Sequence, residues 1–406
     1  MPPAKLIPKP IPNLKQVADA FFNLPLWHLA FRACFLLASI SSVFAIVTWL
    51  GILNNWWRFS EPALTPTLWH LHEMLFGFAA TVAIGFTLTA VQTWTGLASI
   101  KGRPLALFML LWLIARLVFW FNHSALVIPA IVVQMLWWVA AIWVFARLLI
   151  QAQNRRNYLL IAVFTLMAVL NLSILLADIS GNTALALHLG RSMVLMFTLL
   201  MAIIAGRVIP FFTERGIGSI VMLPTPKTDQ ALLWVSATSI ALFITGHFMS
   251  LPVSPAVLFI ASGGLHLYRL VRWYHSAIFT LPLLWSLHGA YLFLALGLLA
   301  TGVSFIAPVI SLSAALHLIT IGAIGLMILS MMSRVSLGHT GRPLTPKPLM
   351  SMAFVLLATA ALVRAILPGL GAPVLSWQLS SLLWLLALLI FLLCYCPVLL
   401  APRKQY

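Results

Sequence analysis

The stretch TLWHLHEMLFGFAATVAIGFTLTAV, residues 67–91, decides how this chain folds. It is long and apolar enough to cross a bilayer as one helix, yet His70, His72 and Glu73 lie near its start. Ionisable side chains inside a membrane are costly, so they are kept mainly where they bind or react. Since the chain has only six Asp and Glu among 406 residues, Glu73 is also a scarce residue in an unusual place.

The rest of the chain has the same apolar character. It is 63% hydrophobic and only 7% charged, which excludes a soluble domain and indicates a polytopic membrane protein. The formal net charge of +17 does not indicate a nucleic-acid partner, because the basic residues lie between the apolar runs and not in one patch. The three cysteines fall in apolar segments, so no disulfide framework is expected.

Hydropathy predicts an all-α protein: one transmembrane domain over residues 1–406, with twelve transmembrane helices after a short cytoplasmic segment of about residues 1–30. The predicted spans are 33–53, 67–91, 104–121, 125–149, 158–178, 184–211, 231–250, 254–271, 282–303, 311–333, 349–367 and 374–400.

The placement of Lys and Arg predicts the orientation of these spans. Of the 23 basic residues, nineteen fall on one side, Arg58 and Arg364 fall on the other, and Arg116 and Arg191 lie inside spans. Cytoplasmic loops carry the excess of Lys and Arg, so both termini are predicted to be cytoplasmic. An even number of spans agrees with this.

The predicted topology assigns each histidine a depth. His70 and His72 in span 2, His188 in span 6, His247 in span 7 and His317 in span 10 all fall near the outer ends of their helices. At about 1.5 Å rise per residue, their depths agree within about a turn. We therefore expect an outer layer of imidazoles contributed by four helices.

A second pair of histidines is predicted nearer the middle of the membrane. Spans 8 and 9 form a hairpin, and His266 and His288 are each 11 residues from its centre at residue 277. Antiparallel neighbours at equal distance from their turn lie at equal height. These two imidazoles are therefore expected to face one another or a planar ligand between them.

Histidines at matching heights on facing helices suit haem iron and copper. His70 and His72 are about 200° apart around a regular helix, so they serve two centres unless the helix start is distorted. Glu73 is expected to hold a ligating imidazole or to carry protons, and Arg116 and Arg191 to meet haem propionates or Glu73. The simpler alternative, that single histidines such as His188 only hydrogen-bond to a neighbouring helix, stays open.

Two basic loops on the cytoplasmic side could also bind an anionic group. Residues 333–343 offer Arg334, His339 and Arg342 after a span rich in small residues, where Gly322 and Gly325 let a helix or flat cofactor approach. Arg207 ends span 6 in GRVIP. A propionate, a lipid headgroup or a quinone carbonyl are candidate ligands, although an ordinary positive helix stop explains both loops as well.

Several of these motifs resemble the signature of the NnrS family. The matching stretches are WHLHEMLFGF at 69–78, GFxLTAVxxWTG at 85–96, GRVIP at 206–210, LWxLH at 284–288, ALH at 315–317 and SLGHTGRP at 336–343. They cover nearly the whole chain in the right order. The resemblance implies a bacterial inner-membrane protein of about twelve helices that contains haem and copper and is tied to nitric-oxide stress and denitrification. The family pattern carries histidines at positions 70, 72, 266, 288, 317 and 339.

The histidine pattern, taken with what the resemblance implies, predicts a haem b and copper protein that binds nitric oxide and reduces or detoxifies it with electrons from membrane quinol. His70, His72, His317 and His188 are the candidate ligands of an outer metal centre, His266 and His288 those of a second haem, and Glu73 and Arg191 are the candidate catalytic residues. Arg116, Arg207, Arg334, His339 and Arg342 are candidate cofactor contacts.

Three other functional classes stay open. A secondary transporter fits twelve spans with buried His, Glu and Arg, although the second half shows no evident repeat of the first. A conventional haem-copper oxidase or nitric-oxide reductase subunit would carry an adjacent His-His pair, which this sequence lacks. A nitric-oxide sensor or metal chaperone without turnover would carry the same ligands as an enzyme.

Overall fold

A computed structural model describes residues 13–60, 62–218 and 220–405, and these residues form an all-helical bundle. The first twelve residues of the predicted cytoplasmic segment, with Lys5 and Lys9, lie outside the described part. The helices are α1 Leu14–Phe22, α2 Ala30–Leu53, α3 Pro66–Thr95, α4 Arg103–Phe121, α5 Val127–Gln151, α6 Tyr158–Ile179, α7 Thr183–Ile217, α8 Pro226–Thr245, α9 Ala256–Arg272, α10 Pro282–Ser304, α11 Leu312–His339, α12 Pro348–Ile366 and α13 Pro373–Leu400.

Ten helices in the described residues are long and apolar enough to cross a membrane, so the protein is a multi-pass membrane protein. The two remaining long helices, α8 and α9, do not meet that standard. Helix α9 has 17 residues and includes Arg269 and Arg272, and α8 begins with Lys227 and Asp229. Twelve spans and cytoplasmic termini therefore stay predictions. Whether α8 and α9 both cross or both fail to cross, the number of spans is even.

Most helices pack against their neighbours along the chain, and the last helix also packs against α2. Helices α3, α7, α10 and α11 are the most buried. In the most apolar part of α3, 78% of the residues are buried, against 33% in α12. The four central helices therefore face protein on most sides, and polar side chains on them are positioned by other helices and not by lipid.

Close contact between α2 and α3 depends on a glycine. A Cβ atom placed on Gly85 would collide with the Cβ of Cys34, which is itself fully buried. Small residues at such crossings let two membrane helices approach closely.

We expect Gly85→Ala to lower the free energy of unfolding by about 1–3 kcal/mol, because the added methyl group overpacks this crossing. The measurement is the apparent unfolding temperature in detergent. The double variant Cys34→Gly with Gly85→Ala should recover part of the loss. Cys34→Ala keeps the colliding Cβ, so combining it with Gly85→Ala should recover much less. Equal recovery by the two double variants would show that the contact between the Cβ atoms of residues 34 and 85 does not limit how closely α2 and α3 approach.

Candidate functional site

Helices α3 and α11 each change from α-helical to π-helical winding beside a candidate histidine. The π-helical stretches are Glu73–Ala79, directly after His72, and Leu318–Gly325, directly after His317. Such stretches are rare and occur frequently at functional sites, because the extra residue per turn shifts side chains out of the regular helical pattern. They mark the two helices on which a site is best sought.

A cavity of about 450 Å³ lies between these two helices and α2, α7, α12 and α13. We name it the histidine cavity, because His70 of α3 and His317 of α11 both line it. Two guanidinium groups, those of Arg191 and Arg364, line it as well. Its volume falls in the range of pockets that hold a small-molecule ligand or cofactor. The remaining lining is mainly apolar or aromatic: Ile46, Trp49, Leu53, Leu71, Met74, Leu75, Phe78, Ala79, Leu187, Val194, Leu316, Ile321, Ile324, Trp377 and Trp384, with Thr67, Ser313, Thr320, Ser380 and Ser381.

His317 is held in the form that a metal requires. Its Nδ1 donates a hydrogen bond to the backbone carbonyl of Ser313, one turn earlier, at 2.6 Å. A carbonyl only accepts, so the proton is on Nδ1 and the lone pair of the neutral ring is on Nε2. Metal-ligating histidines are typically oriented in this way by a backbone carbonyl or a carboxylate on the other ring nitrogen.

His70 offers a second imidazole to the same cavity. Its ring stacks on Trp49 of α2, with the ring centroids 4.5 Å apart and the planes at 16°. Its Nδ1 is buried and has no hydrogen-bond partner within the described residues. Buried polar atoms without a partner are unusual and call for an explanation such as a bound ligand or ion. Of the sequence-predicted outer metal ligands, His70 and His317 are thus brought together.

The sequence missed one residue of this cavity. Arg364, near the end of α12, donates from Nη2 to the hydroxyl of Ser313 at 3.2 Å. It therefore lies over the turn that also holds His317. In the sequence, Arg364 is one of only two basic residues on the predicted outer side. The scarcity of basic residues on that side is the signal that could have singled it out.

The small residues of α11 accept aromatic side chains in this structure. A Cβ on Gly322 would meet the ring of Phe293, and one on Gly325 would meet the ring of Trp384. Trp384 also donates from Nε1 to the hydroxyl of Ser42 at 2.9 Å and lines the histidine cavity. The close approach expected at these glycines is therefore made by aromatic rings, of which Trp384 lines the histidine cavity.

His72 does not face the histidine cavity. Helix α3 is regular as far as His72, so residues 70 and 72 point about 200° apart. The His72 ring packs against Phe76 and Phe119 instead, and its Nδ1 donates to the Glu73 carboxylate at 3.1 Å. A carboxylate on one imidazole nitrogen is the arrangement expected of a metal ligand. However, among the residues described here no three His, Cys, Asp or Glu side chains converge as a metal group.

Glu73 belongs to a buried charge network between α3, α4 and α5. Its Oε1 also accepts a hydrogen bond from Arg116 Nη1 at 2.6 Å, and Arg116 in turn contacts Gln134 through Nη2. Glu73 is 4% exposed and Arg116 is 5% exposed. Of the two partners expected for Arg116, haem propionates or Glu73, the structure provides Glu73. Neither residue lines the histidine cavity, whereas Arg191 does.

His188 and His247 contact each other outside the histidine cavity. Their rings stack with centroids 4.8 Å apart, and His188 also stacks on Phe243 at 4.5 Å. His188 Nε2 is buried without a hydrogen-bond partner in the described chain. The neighbouring Leu187 and Arg191, not His188, line the histidine cavity.

His266 and His288 lie in the predicted hairpin but have separate partners. His266 Nδ1 pairs with the Tyr291 hydroxyl at 2.7 Å, and His288 pairs with the backbone carbonyls of Leu284 at 3.0 Å and Trp273 at 3.4 Å. Within the described ranges the two histidines make no hydrogen bond or ring contact with each other. His266 of α9 pairs with Tyr291, which lies about one turn beyond His288 on α10. The two histidines are therefore offset in height. Ligation of a second haem by this pair stays a prediction.

A buried arginine connects the Tyr291 hydroxyl to α7 and α8. Arg269 Nη1 donates to Tyr291 at 3.0 Å and to the carbonyl of Ala202 at 3.2 Å, and its Nε lies 3.0 Å from Asp229 Oδ1. The guanidinium occupies the space where a Cβ on Gly206 would lie. This explains the glycine in the GRVIP motif by close approach.

The basic candidates at the other end of the bundle do not converge on a single group. Arg207 donates to Asn157 Oδ1 at 2.6 Å, Arg334 lies 3.9 Å over the Phe212 ring, and Arg342 donates to the carbonyl of Thr340 at 3.3 Å. The His339 ring lies 5.7 Å from that of Phe31. Their roles as cofactor contacts stay predictions.

Comparison with protein-family models shows to which family this chain belongs. The model described as NnrS protein matches residues 25–403, nearly the whole length. The chain belongs to the NnrS family. The match includes every candidate residue named above and begins just after α1. Among curated proteins no match was found.

Family membership agrees with the multi-pass helical fold and is consistent with a membrane protein related to nitric oxide. The residues of the histidine cavity fit a haem. One wall supplies an oriented imidazole, another a buried imidazole nitrogen without a partner in the described residues, and the polar rim supplies two guanidinium groups for carboxylates.

Proposed function

We propose that this protein holds a haem b in the histidine cavity, in the bacterial inner membrane, and binds and reduces nitric oxide there. The observation that supports this best is that His70 and His317, from distant parts of the chain, line one mainly apolar cavity together with Arg191 and Arg364. An apolar cavity with a charged rim matches an apolar macrocycle that carries two carboxylates.

His317 is the iron ligand in this proposal. The Ser313 carbonyl fixes its Nδ1 proton, so Nε2 carries the lone pair and the ring cannot turn without losing a 2.6 Å hydrogen bond. This bond also makes the imidazole a stronger donor toward the metal. Arg364 reinforces the same turn through the Ser313 hydroxyl.

Arg191 and Arg364 are proposed to bind the propionates. Both guanidinium groups line the cavity, Arg191 is exposed, and Arg364 is half-buried. Guanidinium groups bind carboxylates with paired hydrogen bonds that give both strength and orientation. They would set the direction in which the macrocycle enters.

A haem held by His317 would supply a reducible centre for nitric oxide. His70 remains for the bound gas or for copper, and the thioether of Met74, which lines the same cavity, adds a soft ligand that suits copper. The apolar walls exclude water from the reacting gas. Electrons are proposed to come from membrane quinol.

Glu73 and His72 have an indirect role in this proposal. The Arg116 guanidinium keeps the Glu73 carboxylate buried at the start of the π-helical stretch whose residues Met74, Phe78 and Ala79 line the cavity. Glu73 therefore positions the wall of the histidine cavity. In this proposal it does not transfer protons directly.

The test is the visible spectrum and metal content of the purified full-length protein. A Soret band, about one haem or more per chain, and a shift of that band on adding nitric oxide to the reduced protein are the expected results. Consumption of nitric oxide with a quinol donor separates an enzyme from a sensor or metal chaperone. A flat visible region after expression with ample haem would refute the proposal and favour a transporter.

A further inference from the structure

A second cavity, the apolar cleft, lies further along the same helices. Its volume is about 80 Å³, and it lies between α3, α7 and α11, with Phe35 of α2 at its edge. Every side chain that lines it is apolar, including Phe86, Phe197, Ile204 and Met327. None of the polar side chains described above lines it.

The apolar cleft adjoins the histidine cavity. Ala79 of α3 and Ile324 of α11 line both. Both residues belong to the π-helical stretches that follow His72 and His317. Where the two spaces adjoin, the methyl group of Ala79 and the aliphatic side chain of Ile324 thus lie between them, and a rotamer change of Ile324 would open a path for a small molecule.

The other end of the cleft reaches the surface of the bundle. Helices α3 and α7 touch where Leu71 packs on Gly190, and the cleft lies beyond that contact. Its lining residues Ala83, Phe86 and Ile204 are partly exposed there. In a membrane this surface meets lipid, so the cleft opens toward the hydrocarbon core.

Size and polarity decide what the cleft can accept. It is about half the volume of a cavity of roughly 150 Å³ that stays dry and binds benzene or xenon. Water would find no hydrogen-bonding side chain in it. A macrocycle needs a pocket of at least about 300 Å³, and a single six-membered ring already needs roughly 150 Å³. A small uncharged gas dissolved in the bilayer fits both limits.

We infer that the apolar cleft is the route by which an uncharged diatomic gas travels from the bilayer to the histidine cavity. The inference rests on the proposed function for the identity of the gas. The residues that control the route are Ala83 and Phe86 at the lipid end and Ala79 and Ile324 at the cavity end.

The first test is gas binding to Ala83→Phe protein. A phenyl ring at this position fills the lipid end of the cleft and leaves His70 and His317 untouched. We expect the association rate of carbon monoxide with the reduced haem, after flash photolysis, to fall by about tenfold, with an unchanged Soret band. The matched control is Ala90→Phe, which lies two turns further on the same face of α3, is also partly exposed, and lines neither cavity.

Phe86→Ala supplies the opposite change. It widens the cleft, so association should become faster than in the unchanged protein. Rates that are the same in Ala83→Phe, Ala90→Phe and Phe86→Ala proteins would overturn the inference, because the gas would then enter by another path.

A second test does not depend on haem. Crystals of the full-length protein pressurised with xenon should show xenon in the cleft between Phe197 and Ile328, and Ala83→Phe should remove it. Continuous acyl-chain density there would assign the cleft to lipid and refute a gas route. If the protein lacks haem but binds xenon in the cleft, the proposed function is refuted and the cleft remains a gas-binding site. If the protein contains haem but shows neither xenon in the cleft nor a change in association rate, the gas route is refuted and the proposed function stands.

Discussion

Arg116→Met is expected to lower the free energy of unfolding by about 3–5 kcal/mol. The substitution removes the partner of Glu73, which accepts the Arg116 hydrogen bond at 2.6 Å and is only 4% exposed. A buried carboxylate left without its cation keeps its full desolvation penalty, and the remaining His72 contact at 3.1 Å offsets only part of it. The apparent unfolding temperature in detergent measures this loss.

The double variant Glu73→Gln with Arg116→Met should be much more stable than Arg116→Met alone. It removes both charges, and neutral groups of similar size replace a buried ion pair at little cost. The amide oxygen introduced by Glu73→Gln would still accept from His72. If the double variant were as unstable as the single one, the loss would come from packing and not from the uncompensated charge.

The exposed pair between Arg103 and Asp19 provides the matched control. It joins the same types of side chain, but these are 58% and 44% exposed. An exposed ion pair contributes only about 0–1 kcal/mol, so Arg103→Met should barely change the unfolding temperature. A similar loss in both arginine variants would contradict the role given to burial.

His317→Ala is expected to reduce the haem content of the purified protein by at least about tenfold, since even the loss of a group that supports a metal ligand costs roughly 10–100-fold in affinity. The measurement is the haem-to-protein ratio by extraction and absorption. Because Ser313 and Arg364 remain, the cavity keeps its shape, and added imidazole should restore part of the Soret band.

Two histidine controls test where the cofactor lies. His28→Ala changes an exposed residue and should leave haem content intact. His72→Gln should also keep the haem, because His72 does not line the histidine cavity and glutamine can still donate to Glu73. Full haem in His317→Ala protein would refute the assignment of His317. Equal loss in His72→Gln protein would instead favour the sequence-based grouping of His70, His72 and His317.

Much of the architecture could be predicted from sequence because it depends on local properties. Runs of apolar residues, proline and glycine positions and basic loops predicted the twelve long helices with ends within six residues of those observed, but did not predict α1. The outer-layer prediction placed His70 and His317 at one level, and both line one cavity. Helices α8 and α9 show the limit of this approach, because the sequence predicts both as spans but neither is long and apolar enough to count among the ten candidate spans.

The partners of individual side chains could not be predicted in the same way. Depth along a helix follows from residue number, but the direction a side chain faces depends on how each helix is rotated against neighbours from distant parts of the chain. The pairing of Glu73 with Arg116, 43 residues away, and the arrival of Arg364 beside His317 illustrate this. So does the separation of His72 from His70.

By itself, the sequence determined that this is a multi-pass helical membrane protein of the NnrS family, with scarce ionisable residues concentrated on a few helices. Only the tertiary structure decided which of them share a cavity, and it also revealed the apolar cleft beside it. The physical reason is that hydropathy and helical periodicity act over a few turns of one segment. A cavity exists only where the packed surfaces of several helices leave space, and no single segment encodes that space.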